Sequence, residues 1–348
     1  MEEDVAAVAA VTRIKKVKPT AMSATDAADV RLSPNVRVRA TMIKSKGMNE
    51  TLTPAPLRKG DKIAIIAPAS VIAPELVTAT LPLLEREGWR PYVGPHTFDR
   101  YGNFAGTDAD RLSDLKAALL DPDTRAILCA RGGFGAVHLI EGLSHLPLRE
   151  DPKWIIGFSD ISALHALLAV NGIESIHSPM CRHLVREGAT DSDSQRLFDI
   201  LRGHRAPITF DINPLNRPGT ASGQLLGGNL AVLSALLSTP FNIIKPGSIL
   251  FIEDISEQVY KVDRILHTLK LNGTLPRLGA LLVGQFTNYT PGVDGKRMEE
   301  MIWEMVKEYH YPVAFNLPIG HVDHNVPLIV SSTVTLQVTS AAVTLAYA

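Results

Sequence analysis

The sequence predicts an α/β protein: a parallel sheet flanked by helices in the first domain, carrying a nucleophile-like serine on a strand-turn-helix, and a second, mixed α+β domain rich in strands. Three observations carry this. Short uncharged apolar runs alternate with helix-period segments from residue 63 to residue 170, the pattern of strands buried on both faces and of the helices that cross over between them. A length of 348 residues allows about two domains. The final stretch, 326–348, alternates Thr, Val, Ser and Leu and reads as antiparallel strands.

The elements follow in order. The run at 62–67 stops at Pro68 and is a buried strand. Helical spacing over 75–87 ends at Gly88, a C-cap, and recurs over 111–120 before Asp121 and Pro122. Two more apolar runs, 126–130 and 154–156, each lead into glycine and a helix-like segment, the second at 161–170. Gly203, Pro207, Pro214, Pro218 and Gly219 punctuate a stretch that reads as an interdomain linker. Helices at 229–238, 258–270 and 296–309 and strands at 249–252, 280–284 and 313–317 complete the pattern. The expected division is an N-terminal extension (1–55, flexible), an α/β domain (56–205), a linker (206–222) and a C-terminal domain (223–348).

Composition excludes several classes of function. With 35 basic and 36 acidic residues the net charge is −1, so no long-range field gathers nucleic acid or anionic lipid. No apolar run approaches the 18 or so residues of a membrane span. Cys129 and Cys181 are too few for a disulfide framework or a four-ligand zinc site, and a reducing cytoplasm is the expected location. The first 55 residues hold a basic cluster (Arg13, Lys15, Lys16, Lys18) that reads as solvated tail. Glu2, Glu3 and Asp4 replace the positive start of a secretory signal, and Met42 and Met48 offer later starts.

The chemistry gathers at a few segments. Two glycine-rich stretches, 131–135 and 227–229, lack the dinucleotide fingerprint, because His138 stands where its third glycine belongs, and no phosphate-binding P-loop pattern occurs. Such glycines still let bare backbone N–H groups face a ligand, as an oxyanion hole or a phosphate nest. Gly157-Phe158-Ser159-Asp160 lies between a strand and a helix, where a serine hydroxyl is lifted off the sheet beside a helix N-terminus. Ile161 replaces the second glycine of a nucleophile elbow, and the same residues also read as a helix N-cap. A serine nucleophile needs a histidine base and an orienting carboxylate. His321, on a loop after Pro318, Ile319 and Gly320, is the candidate base; with Asp323 and His324 nearby it also reads as a weak metal pair. Glu253 and Asp254 end an apolar strand, as either a catalytic acid or a cap.

Seven segments in order resemble the LD-carboxypeptidases, a serine peptidase family that includes murein tetrapeptide carboxypeptidase and the microcin C immunity hydrolases: 59–69, 105–108 with Arg111, 130–135, 157–165, Gly223 with 227–230, 250–254 with Asp263 and Arg264, and 317–321. The resemblance spans about residues 56–330. It implies Ser159 as nucleophile, His321 as general base and Glu253 as its orienting acid. The oxyanion would be held by the backbone amides of Asp160 and of Gly132 or Gly133, in a cleft between the domains. No metal or cofactor is implied. The implied reaction is cytoplasmic cleavage of a muropeptide between an L-centre and a terminal D-alanine, by a homodimer, with Arg131, Arg182 or Arg186 as donors to the substrate carboxylate. The alternatives are an immunity-type hydrolase of aminoacyl nucleotides and a binding protein without turnover. The chain departs from the family pattern at Phe134, at Ser178 after His177, at Val322 and over 326–330, none of which removes a catalytic group.

Overall fold

Strand β1 (Lys62–Ile66) forms where the first apolar run predicts, buried except at its first residue. In the computed structural model, which describes residues 50–292 and 294–348, α1 (Pro74–Arg86), β2 (Arg90–Val93), α2 (Asp108–Leu120), β3 (Thr124–Cys129), α3 (Ile140–Leu143), β4 (Trp154–Gly157), α4 (Ser162–Val170) and β5 (Ser175–His177) follow. Helix α1 opens on proline, which has no N–H to leave unpaired. Helix α2 opens on a capping box in which Thr107 and Asp110 exchange hydrogen bonds. Strands β2, β1, β3, β4 and β5 pair in parallel in that order, and the helical crossovers cover the sheet.

The second half runs through α5 (Cys181–Arg186), α6 (Ser192–Leu201), β6 (Ile208–Phe210), β7 (Gly219–Asn229), α7 (Leu230–Ala235), β8 (Ile249–Ile255), α8 (Val259–Leu271), β9 (Ala280–Thr287), α9 (Met298–Val306), β10 (Val313–Ala314), β11 (Leu328–Val330), β12 (Thr333–Val338) and β13 (Val343–Tyr347). Its sheet has the order β10-β9-β8-β7-β12-β13-β6, parallel from β10 to β7 and antiparallel from β7 onward. The antiparallel reading of 326–348 therefore holds. One strand departs from the sheet of its neighbours: β11 pairs antiparallel with β5 at the edge of the first sheet.

Helix α4 is the seam. Residues 162–168 are all buried, and the helix packs against α3 and β5 on one side and α7 and β7 on the other. A helix enclosed on every side has no use for a polar stripe, which is why this segment is apolar all round apart from Ser162 and His165. Burial of Leu164, Leu167 and Leu168 contributes about 1.5–3 kcal/mol each relative to exposure.

Two expectations need correction. The stretch 206–222 is not plain linker: Ile208 and Phe210 turn inward around exposed Thr209 as β6, and β7 begins at Gly219. The expectation of a flexible extension over 1–55 does not hold for residues 52–55. Leu52 donates to Gly172 O at 2.7 Å and accepts from Glu174 N at 3.0 Å, and Ala55 O accepts from the Trp154 indole at 3.1 Å. The rest of that expectation, and the basic cluster in it, lie outside the described residues. Among the described residues no helix is long and apolar enough to cross a membrane.

Candidate active site

Ser159 follows β4 at a sharp corner. Its φ is +64°, a left-handed conformation that costs a non-glycine residue on the order of 1–3 kcal/mol and that the surrounding packing must hold. Gly157 makes the corner possible, since a Cβ there would lie 2.9 Å from Ile161 Cγ1. Ile161, which replaces the second glycine of a nucleophile elbow, thus packs over the first. The N-cap alternative fails, because Ser159 makes no capping hydrogen bond to the turn that it opens and instead faces His321.

His321 Nε2 lies 3.0 Å from Ser159 Oγ, and His321 Nδ1 lies 2.8 Å from Glu253 Oε2. Serine comes from the end of β4 in the first sheet, glutamate from β8 in the second, and histidine from the loop after β10. Gly320 (φ +116°) is required before the histidine, because a Cβ there would lie 2.6 Å from Glu253 Oε2. The loop is pinned by Gly320 N donating to Asn325 Oδ1 at 2.8 Å and by Val326 N donating to Pro318 O at 2.8 Å.

The acid pair divides its work because neighbouring strand residues point to opposite faces. Glu253, fully buried, faces His321. Asp254 caps the start of α7, accepting from Ala231 N at 2.8 Å and Asn229 Nδ2 at 2.9 Å, and burial pushes its carboxyl up to about 6. His324 turns away from His321 and pairs with Asp193 at 2.8 Å, so the two histidines do not form a metal pair. Among the described residues two His/Asp groups with metal-ligand spacing occur elsewhere, His96 with Asp99 and Asp110 and His183 with Asp191 and Asp193, and neither includes His321. Asp191 is already engaged in capping α6. Burial pushes the Cys181 thiol up to about 11 and Cys129 further, so neither is a ready nucleophile.

The glycine turn after β3 lies against the serine. A Cβ on Gly132 would be 3.0 Å from Ser159 Cβ and 3.2 Å from its Oγ, and one on Gly133 (φ +115°) would be 2.1 Å from Ser70 Oγ. Only bare backbone fits there. Among the described residues the N–H groups of Gly132 and Gly133 have no hydrogen-bond partner.

A cavity of about 470 Å³ opens over Ser159 and His321 and is lined also by Arg131, Arg182 and Arg186. Arg186 is committed to Asp323 and Glu187, each at 2.5 Å, and Arg131 donates to Val71 O at 2.6 Å. Arg182 is exposed, and its side chain makes no hydrogen bond among the described residues. Sequence reasoning missed the apolar lining, namely Ile72, Leu76, Met180 and Ile255, because such residues at element ends read as ordinary core. It also missed a structural part for Arg111, whose signal was its place on the buried stripe of α2 with Leu115, Ala118 and Leu119.

Two family models match this chain, the LD-carboxypeptidase N-terminal domain over residues 63–178 and the LD-carboxypeptidase C-terminal domain over 222–336. The probable murein peptide carboxypeptidase of Bacillus subtilis is 35% identical over 277 residues, 77% of this chain and 86% of that protein. The microcin C7 self-immunity protein MccF of Escherichia coli is 25% identical over 304 residues, 78% and 88% of the two chains. The crystal structure of muramoyltetrapeptide carboxypeptidase from Oxalobacter formigenes superposes with a TM-score of 0.75 at 26% identity, over 82% of this chain and 98% of that one.

Proposed function

The chain belongs to the LD-carboxypeptidase family and is a serine-type carboxypeptidase, and from that premise we propose that it hydrolyses the amide between an L-centre and a C-terminal D-amino acid, releasing D-alanine from a murein tetrapeptide through an acyl-enzyme on Ser159. The observation that carries the reading is the unbroken run of hydrogen bonds from Glu253 Oε2 through both ring nitrogens of His321 to Ser159 Oγ, at 2.8 and 3.0 Å.

Glu253, fully buried, accepts the Nδ1–H of His321 and so leaves Nε2 unprotonated and aimed at the hydroxyl. His321 takes the Ser159 proton as oxygen attacks the carbonyl. The amides of Asp160 and of Gly132 or Gly133 hold the developing oxyanion. His321 then gives its proton to the departing amine of D-alanine, and a water activated by the same imidazole releases the acyl group. Of the three arginines, Arg182 is the one left to meet the product carboxylate, as a charged donor at the cavity wall. The domains expected over 56–205 and 223–348, the second now extended back to β6, bring nucleophile and base together, and the family's homodimer is part of the same reading, checked by light scattering.

A ring free to stack on a nucleobase would favour the immunity-type alternative. Among the described residues Phe158 is the only Phe, Tyr or Trp lining the cavity, and it packs against His321 at 4.9 Å and His177 at 5.8 Å between ring centres. The muropeptide reading is therefore favoured. The test is D-alanine release from a murein tetrapeptide by wild type and Ser159→Ala. Turnover confined to the wild type is expected; retained turnover in the variant removes the serine from the mechanism, and an inactive wild type removes this substrate.

A further inference from the structure

Two buried charges of opposite sign grip a single peptide group beside the nucleophile. The peptide joining Gly135 to Ala136 donates through Ala136 N to Asp160 Oδ2 at 2.8 Å and accepts through Gly135 O from Arg111 Nη1 at 3.0 Å. Arg111 and Asp160 are 1% and 4% exposed, so water does not compete with either bond. The same guanidinium nitrogen donates to Pro68 O at 2.6 Å, and Nη2 pairs with Asp108. Gly135 (φ +115°) admits this approach, since a Cβ there would lie 2.9 Å from Arg111 Nη1.

Resting on the function proposed above, we propose that the Asp160 side chain and Arg111 are positioning residues that set the oxyanion site by clamping the Gly135–Ala136 peptide between them. The two amide sources for the oxyanion are Asp160 itself and the glycine turn three residues before that peptide. The distance between them is fixed only if the turn is tied to Asp160, and the carboxylate makes the tie. Both bonds are charge-assisted and share one polarised peptide, which strengthens each. Ser70 steadies the other end of the turn, donating from its N to Gly132 O at 3.2 Å and accepting from Phe134 N at 3.3 Å. Removing one oxyanion donor typically costs about 10²–10³ in kcat, and a loosened turn approaches that loss.

The experiment compares wild type with Asp160→Ala, Asp160→Asn and Arg111→Lys in two assays. One is kcat and KM for D-alanine release; the other is the rate of Ser159 phosphonylation by a fluorophosphonate, whose phosphoryl oxygen enters the same oxyanion site whatever the natural substrate. Asp160→Ala is expected to lose about 10²-fold in kcat and in labelling rate with KM within about threefold. Asp160→Asn, whose amide oxygen still accepts from Ala136, is expected within about fivefold of wild type. Arg111→Lys, which reaches one carbonyl rather than two, is expected to lose about tenfold in both assays and decides the question if Asp160→Ala does not fold. Labelling of Asp160→Ala or Arg111→Lys at the wild-type rate overturns the clamp, as does a loss confined to KM. An inactive wild type that still labels Ser159 counts against the muropeptide substrate and leaves the clamp to be judged by labelling. A wild type that neither turns over nor labels overturns both.

Discussion

Replacing Glu253 by Gln tests the site at its least accessible member. The swap keeps shape and volume, so packing is preserved, and the side chain has no exposed surface through which water could replace the lost charge. Two outcomes face His321 Nδ1 across 2.8 Å. If the amide oxygen faces the ring, the bond survives as a neutral one, roughly half as strong as the charge-assisted original. If the amide NH2 faces it, Nδ1 must accept, Nε2 carries the proton, and the imidazole can no longer take one from Ser159. The corresponding change in a serine peptidase lowers kcat about 10⁴-fold, which at 1.36 kcal/mol per decade is about 5 kcal/mol of transition-state stabilisation. Glu253 does not line the cavity, so KM is expected within about threefold of wild type. The assay is steady-state D-alanine release with a thermal melt on the same sample. A folded Glu253→Gln enzyme with more than a tenth of wild-type kcat, or a loss confined to KM, refutes the assignment of Glu253.

His321→Ala is expected to abolish turnover, whereas His324→Ala keeps it within about threefold, because Asp193 retains the Asn325 N–H at 2.8 Å; assaying both side by side separates base from neighbour. Gly320→Ala, whose Cβ would press on Glu253 Oε2, is expected to lower kcat at least a hundredfold without unfolding the chain, and full activity would show that the glutamate need not sit where it does. Burial holds His165 at a pKa of about 4 against an ordinary 6.5, with Nε2 donating to Gly157 O and Nδ1 accepting from Ser175 Oγ. The unfolded chain takes up that proton first on acidification, so the stability is present above pH 6.5 and is lost between pH 6.5 and 4, by about 3 kcal/mol over the 2.5 units. Urea unfolding from pH 7.5 to 4.5 should show a flatter dependence for His165→Gln, and parallel curves would count against it.

Much of the first sheet was legible because buried parallel strands are apolar throughout and stop at glycine or proline, as β1 and β4 do. The second sheet was harder to read. Strand β7 holds four glycines and little β-branched sequence, so its propensity is poor, and it forms because β8 and β12 pair with it on both sides. Strand β6 has three residues, too few for a period to show. At the site, Ser159, Glu253 and His321 stood out as reactive types at element ends, and the structure brings them within hydrogen-bond reach. Local sequence could not divide Glu253 from Asp254, because that assignment depends on which strand face meets the His321 loop. Nor could it show that Arg186 is already held by Asp323, a partner 137 positions away.

The loop that carries His321 is moored at both ends to different sheets. Before it, Leu317 N donates to Val283 O at 3.1 Å in the second sheet; after it, β11 runs along β5 in the first. The crevice therefore cannot gape like a pair of jaws: parting its walls means unzipping β11 and melting the buried edge that it covers.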